Sequence, residues 1–326
     1  MSGKLPKMNT RLVESDCRGL ERIHAKMHFW KYHGLGNDYL VLEPAGLGGE
    51  ALSEETVRRV CHRHYGVGSD GVLLGPIWPW AVDFRAVCSA AGVDAEAGKR
   101  ILCALRIFNP DGSEAEKSGN GLRIFARHLY ERHGIGKGMA CRVATLGGVA
   151  EITVHDPAER IEVAMGKVTF ASVSIPVTGP AREVLEEEID IKGRRFRFCA
   201  ASVGNPHCVV LDDAGEADAD FAREYGPGIE TAAIFPKRTN VQFMRVLGRH
   251  DLSIEIWERG AGYTLASGSS ASASAAVAVR LGLCASPVAV HMPGGELVVD
   301  VSADGQIVQT GPVGKVCEAD WTGDGV

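Results

Sequence analysis

Two stretches of this chain switch from irregular, glycine-rich sequence to helical periodicity immediately after a Ser-Gly pair, and the other predicted elements are arranged around them. The first is Phe108-Asn-Pro-Asp-Gly-Ser-Glu-Ala-Glu-Lys-Ser118-Gly-Asn-Gly121, running into Leu-Arg-Ile-Phe-Ala-Arg-His-Leu-Tyr. Here Leu122, Phe125, Ala126 and Leu129 recur at i, i+3, i+4 and i+7, which predicts an amphipathic helix with one buried face and Ser118 at or just before its N-cap. About 150 residues later Ser267-Gly-Ser-Ser opens a second apolar helix, rich in alanine. Each serine taken alone reads first as a cap, worth about 1 kcal/mol. Taken together, two helix N-termini facing each other would grip one carboxylate from both sides, because free N–H groups and the positive dipole end make an anion site.

Between these helices the pattern is of short strands and turns. His33-Gly-Leu-Gly-Asn37-Asp-Tyr-Leu reads as strand, glycine turn, strand, and Ser53 to His64 as a capped helix. Strands are expected over 83–87, 101–108, 139–145, 149–155, 160–165, 168–177 and 194–201, with an exposed insertion over 89–100. The second half adds strands following Asn205 and Asn240, then 253–257, 288–292, 296–301 and 306–310, with a last one within 315–321. A short helix is expected over 220–225, followed by a long loop over 226–238. Each half thus has many short strands around one central helix, a weak internal repeat that suggests a pseudo-twofold protein with its site in the cleft between halves. The fold class is α+β, with an N-terminal extension (1–26), a first domain (27–165, completed by a C-terminal strand within 312–326) and a second (166–311).

Composition narrows the function. The 326 residues, 45% hydrophobic, suffice for two domains, and the net charge of -6 lies in no long run, so nucleic acid and anionic membranes are not indicated as partners. Nine cysteines without a CxxC pair, no signal-peptide pattern and no stretch long enough to span a membrane indicate a reducing, cytoplasmic setting. Gly66-Val-Gly68-Ser-Asp-Gly71 matches the dinucleotide fingerprint in letters only, since a helix precedes it and a strand follows. Cys61 and His64 lack further ligands nearby in sequence, so no metal site is expected.

Five motifs in order then carry a family resemblance: Asn109-Pro-Asp-Gly-Ser-Glu114, Ser118-Gly-Asn-Gly-Leu-Arg123, Val203-Gly-Asn205-Pro-His207, Arg238-Thr-Asn240-Val-Gln-Phe243, and Glu258-Arg-Gly-Ala-Gly-Tyr-Thr-Leu-Ala266. From about Met27 to the C-terminus the chain resembles diaminopimelate epimerase. The resemblance implies a cofactor-independent isomerase of lysine biosynthesis that inverts an amino-acid α-carbon by two-base proton transfer. It further implies two domains, each a barrel-like sheet wrapped around a helix, and a homodimer is possible. By position, Asn37, Asn109, Asn205, Asn240, Glu258 and Arg259 would bind substrate, and the backbone around Gly119, Asn120, Gly268 and Ser269 would hold the carboxylate at the reacting carbon. A zwitterion needs acceptors for its ammonium and forked donors for its carboxylate, and these side chains supply both.

The departure is at the reacting groups, where the family has two cysteines and this chain has Ser118 and Ser267. A thiol titrates near about 8.5 and helix N-termini lower it, whereas a hydroxyl is a much weaker acid. Two unassisted serines should therefore act slowly. The substitutions are engineered, or belong to a divergent natural relative with activated serines, or mark an amino-acid-binding protein without catalysis; a lyase or another proton-shift isomerase is a further alternative. Gly268-Ser269-Ser270 in place of the usual Gly-Thr-Gly, and Ile124 in place of a frequent cysteine, favour natural divergence. Candidate helpers for a serine base are Glu258, His207 and Lys117.

Overall fold

In the computed structural model, which describes residues 26–47, 51–93 and 101–323, the two Ser-Gly helices are the axes around which the strands wrap. The first half runs β1 (Met27–Gly34), β2 (Asn37–Leu42), α1 (Glu54–Cys61), β3 (Val72–Ile77), α2 (Val82–Ala90), β4 (Cys103–Phe108), β5 (Glu114–Ala115), α3 (Gly119–His133), β6 (Ala140–Thr145), β7 (Gly148–Asp156) and β8 (Arg160–Lys167). The second runs β9 (Glu187–Ile191), β10 (Arg194–Ser202), β11 (Pro206–Leu211), α4 (Ala219–Glu230), β12 (Asn240–Gly248), β13 (Asp251–Glu258), β14 (Gly262–Thr264), α5 (Gly268–Arg280), β15 (Val288–Met292), β16 (Gly295–Val301) and β17 (Gln306–Gly311), before β18 (Gly314–Trp321).

The strand pairings repeat. From β1 the first half pairs antiparallel to β2, parallel to β3, antiparallel to β4, parallel to β6, then antiparallel to β7 and β8. From β10 the second half follows the same sequence of senses through β11, β12, β13, β15, β16 and β17. Each parallel step needs a crossover, and α1, α3, α4 and α5 supply the four. The equivalent strands β8 and β17 pair with each other, joining the halves at the pseudo-twofold, and β18 returns to pair with β1. The arrangement is α+β with two related halves.

The central helices are enclosed rather than one-sided. Every residue from Gly119 to Ala126 is buried, Arg123 and Ile124 among them, so the single apolar face read from the periodicity understates the burial. A sheet that curls around a helix covers all of its sides. Alpha5 meets the same demand with small residues, and Ala271, Ala273, Ala275, Ala276 and Ala278 let strands approach closely. α1, α2 and α4 cover the outer faces of the sheets in separate apolar clusters.

Three sequence expectations fail for identifiable reasons. Residues 83–87 form part of the helix α2, not a strand, because Phe84 and Cys88, four apart, are its buried pair, while Ala81 at the N-cap provides no side-chain capping signal. The stretch 168–177 is not a strand: Val168, Phe170 and Ile175 are buried, but the backbone makes isolated bridges and turns, such as Val177 N–H to Ser172 O. Helix α4 continues through Pro227 to Glu230 where a loop was expected, and Gly226 suits it there, because an added Cβ would lie 2.6 Å from Trp257. Residues 1–25 of the expected extension and 94–100 of the expected insertion lie outside the described residues, while 89 and 90 end α2. No helix among the described residues is long and apolar enough to cross a membrane.

Candidate active site

The two helix starts have the same local geometry. Ser118 (φ -136°, ψ 120°) accepts from Gly121 N–H at 3.0 Å, and Ser267 (φ -147°, ψ 121°) accepts from Ser270 N–H at 3.4 Å. Both serines are N-caps, and the remaining question is whether they share a space. The answer comes from Gln309 on β17, whose side chain is fully buried. A Cβ added at Gly119 would lie 2.0 Å from its Nε2, and one added at Gly268 would lie 2.6 Å from its Oε1. Both helix N-termini therefore press on one side-chain amide, and glycine at each first turn is what allows the approach. Nε2 of Gln309 points at Met165 Sδ, 3.0 Å away, and its Oε1 has no donor among the described residues.

The surroundings of the two hydroxyls differ. Ser118 Oγ lies 3.3 Å from Tyr39 Oη. Ser267 Oγ lies 3.4 Å from Ser269 Oγ, and the Ser267 hydroxyl is close enough to the Glu258 carboxyl group to affect its proton affinity. Burial holds Glu258 above the usual carboxylate range, the Ser267 contact opposes this, and the charge of Asp70 adds to it. Burial likewise pushes the Tyr39 phenol up to about 12, the Ser118 contact opposes this, and the charges of Glu258 and Asp70 add to it. Tyr39 and Asp70 belong to the first half and Glu258 to the second, so charges of the two halves act on one another here.

The asparagines fall into two groups. Asn37 and Asn120 form a polarised chain: Arg123 Nη2 donates to Asn120 Oδ1 (2.5 Å), Asn120 Nδ2 to Asn37 Oδ1 (3.1 Å), and Asn37 Nδ2 to Asp70 Oδ2 (3.0 Å). A guanidinium only donates and a carboxylate only accepts, so the ends of this chain fix both amide orientations. Arg123 is fully buried, which pulls it down to about 9, and its Nε and Nη1 find no acceptor among the described residues. Asn240 is different: it is buried, donates to Pro206 O (2.9 Å) and accepts from Arg259 N–H (3.0 Å), tying down the Glu258-Arg259 turn. Asn205 Nδ2 reaches Ser269 Oγ (3.5 Å), whereas Asn109 lies in a turn, donating to Ser113 Oγ (3.0 Å). The Arg259 side chain is exposed, with Nη1 donating to Lys237 O (3.2 Å).

Of the three helpers considered for a serine base, Glu258 is the one whose proton affinity responds to a serine, Ser267. Lys117 donates to the carbonyls of Ala164 (3.1 Å) and Met165 (2.9 Å) despite adjoining Ser118 in sequence, and burial lowers it to about 8. His207 is fully buried, which drops its pKa to about 3, and its neutral ring donates through Nε2 to Asn205 Oδ1 (2.9 Å). It orients Asn205 rather than a serine. Tyr39, Asp70, Arg123 and Gln309 were not singled out from sequence. Only Gln309 carried a signal, a polar residue at an inward position of an alternating strand.

Cys61 is a core residue and His64 is exposed. Glu43, His128 and His133 do cluster, with both Nε2 atoms 2.9 Å from Glu43 Oε1. Both Nε2–H groups serve that carboxylate. Ligation through Nε2 would move the proton to Nδ1, where His128 has no acceptor, so the cluster reads as a hydrogen-bonded triad.

The chain's likeness to known proteins covers both halves. A family profile described as diaminopimelate epimerase matches residues 29–171 and 199–316. Diaminopimelate epimerase 2 of Nostoc sp. is 48% identical over 294 residues, covering 90% of this chain and 95% of that protein. Diaminopimelate epimerase of Moorella thermoacetica is 37% identical over 306 residues, covering 90% and 99%. Among solved structures, a hydroxyproline epimerase from Agrobacterium vitis with bound trans-4-hydroxy-L-proline aligns with a TM-score of 0.62 at 11% identity, covering 91% of each chain. A PhzF-family phenazine biosynthesis protein from Bacillus anthracis aligns with a TM-score of 0.60 at 15% identity, covering 91% and 99%. At such identities the structural likeness establishes the fold alone.

Proposed function

Because the chain belongs to the diaminopimelate epimerase family, a group of cofactor-independent isomerases, we propose that it interconverts LL- and meso-diaminopimelate, or a close analogue, with Ser118 and Ser267 on opposite sides of the α-carbon. The observation that supports this reading is the approach of Gly119 and Gly268, the first residues of the two helices, to the one Gln309 side chain, as two hydroxyls and two sets of free helix N–H groups serving one cleft would require. The jaws of that cleft are residues 27–165 with the closing strand (within 312–326), and residues 166–311.

The substrate α-carboxylate takes the N–H groups around Gly119, Asn120, Gly268 and Ser269, where positive dipole ends also stabilise the charge that develops as the α-proton leaves. Asp70 and Glu258, two carboxyl groups raised by burial, suit an ammonium between the walls, and Asn37, Asn109, Asn205 and Arg259 complete the polar lining. Asn240 acts by holding the Glu258-Arg259 turn. On the second face Ser267 removes the α-proton as Glu258 accepts the serine proton. On the first, Ser118 gives its proton to the carbon. Each pKa unit by which a base falls short of its task costs up to about 1.36 kcal/mol, and the Glu258 contact reduces that shortfall for Ser267. The eight described cysteines are free thiols, which supports a reducing, cytoplasmic setting.

The test is α-deuterium uptake and stereochemical inversion of LL-diaminopimelate in deuterated water. Slow uptake by the unaltered chain and faster uptake after Ser118→Cys with Ser267→Cys are expected. Saturable binding with no uptake in either protein refutes catalysis and leaves an amino-acid-binding homologue, and a change of product mass in ordinary water indicates a lyase.

A further inference from the structure

We propose that Tyr39 is a positioning residue for the first face of the cleft: its phenol donates to the Ser118 oxygen when that oxygen becomes anionic, so one serine is backed by a neutral acid and the other by a carboxylate. This deepens the two-serine reading above and rests on it for its place in turnover.

Three observations support it. Tyr39 is buried, and its Oη meets Ser118 Oγ at 3.3 Å. Ser118 Oγ already accepts from Gly121 N–H at 3.0 Å, so while Ser118 is neutral either hydroxyl can be the donor in the Tyr39 pair. When Ser118 delivers its proton, the new C–H bond forms as the O–H bond breaks and the electron pair stays on Oγ. Tyr39 is then the only one of the two able to donate, and the contact strengthens as charge appears. The ring's place is also built. A Cβ at Gly71 would lie 2.6 Å from Tyr39 Cε1 and 2.4 Å from Phe108 O, so glycine there leaves room for the ring between β2 and the strand that follows. Burial, with the charges of Glu258 and Asp70 facing it, keeps the phenol protonated and hence a donor throughout the ordinary pH range. A carboxylate in this position would repel the alkoxide it is meant to support.

The test needs no turnover. Ser118→Cys places a titratable thiol at the same N-cap, and its pKa is read from the pH dependence of iodoacetamide alkylation at that peptide by mass spectrometry. This is done with and without Tyr39→Phe, which keeps the ring and removes only the hydroxyl. A hydrogen bond to a charged atom predicts a rise of about one to two pKa units in the phenylalanine background. An unchanged titration overturns the proposal even if the protein proves to be an active epimerase. Conversely, the shift supports it even if the unaltered serine form turns over too slowly to follow. In the Ser118→Cys background, Tyr39→Phe should also slow inversion by about tenfold or more while α-deuterium exchange with retention at the Ser267 face persists. Equal loss of both would mark a merely structural role and overturn it.

Discussion

The contact of both helix starts with Gln309 yields a prediction whose sign is set by two opposing effects. Replacing Gly119 by alanine improves intrinsic helix propensity by up to about 1 kcal/mol. It also places a methyl 2.0 Å from Gln309 Nε2 and 3.0 Å from its Cδ, where ordinary carbon contacts are about 3.5–4.0 Å. Gln309 cannot swing clear, because it is fully buried, packs against Met165 on one side and meets Gly268 on the other. Overpacking of a close-packed interior costs about 1–3 kcal/mol, so Gly119→Ala should destabilise the protein despite the gain in propensity. Gln309→Ala removes the obstacle, and the double variant Gly119→Ala/Gln309→Ala should recover most of the loss. Urea unfolding of the four proteins closes a double-mutant cycle, with an expected coupling of about 1–3 kcal/mol. The same cycle run with Gly268→Ala should show coupling of the same sign, since that methyl would lie 2.6 Å from Gln309 Oε1. If either pair proves additive within about 0.5 kcal/mol, the two helix starts do not share this side chain, and the shared carboxylate site built on their convergence is wrong.

Asn240→Ala leaves Pro206 O and Arg259 N–H without their side-chain partner in a buried setting, so it should cost about 1–3 kcal/mol in urea unfolding. It should raise KM more than it lowers kcat, because what it loosens is the Glu258-Arg259 turn. Lys117 titrates near 8 when folded against an ordinary 10.5, so between those values the unfolded chain holds more protons and stability rises with pH. Urea midpoints measured from about pH 8 to 10 should climb in the natural protein and flatten in Lys117→Met, and parallel slopes would show that this ammonium is not buried as described.

The Ser-Gly starts of α3 and α5, the run of short strands and the weak repeat were legible in sequence because they depend on local chemistry. A capping hydroxyl, a glycine turn and an apolar period act within a few residues of chain. The same locality explains the misreadings. Nothing near 82–90 distinguishes a short helix with an uncapped start from a strand, and Pro227 ends most helices but is carried here by a helix packed on Trp257. The candidate site was legible in its residue types but not in their duties. Lys117, next to Ser118 in the chain, turns to the β8 carbonyls, and Asn240, placed among substrate ligands by resemblance, spends its amide on backbone groups.

By itself, then, the sequence determined the family, the two capped helix starts and the amino-acid chemistry they suit, since these rest on residue identity and short-range spacing. Only the tertiary structure decided that the helix starts converge on Gln309, that Ser267 lies near the Glu258 carboxyl group while Ser118 meets a phenol, and that Arg123, Asn120, Asn37 and Asp70 form one polarised chain. Apart from Arg123 with Asn120 and Ser267 with Glu258, those relations join residues that are tens of positions or more apart. They are created by the pairing of β8 with β17 and by sheets closing around helices, and a burial that changes a group's proton affinity exists only once that closure has removed it from water.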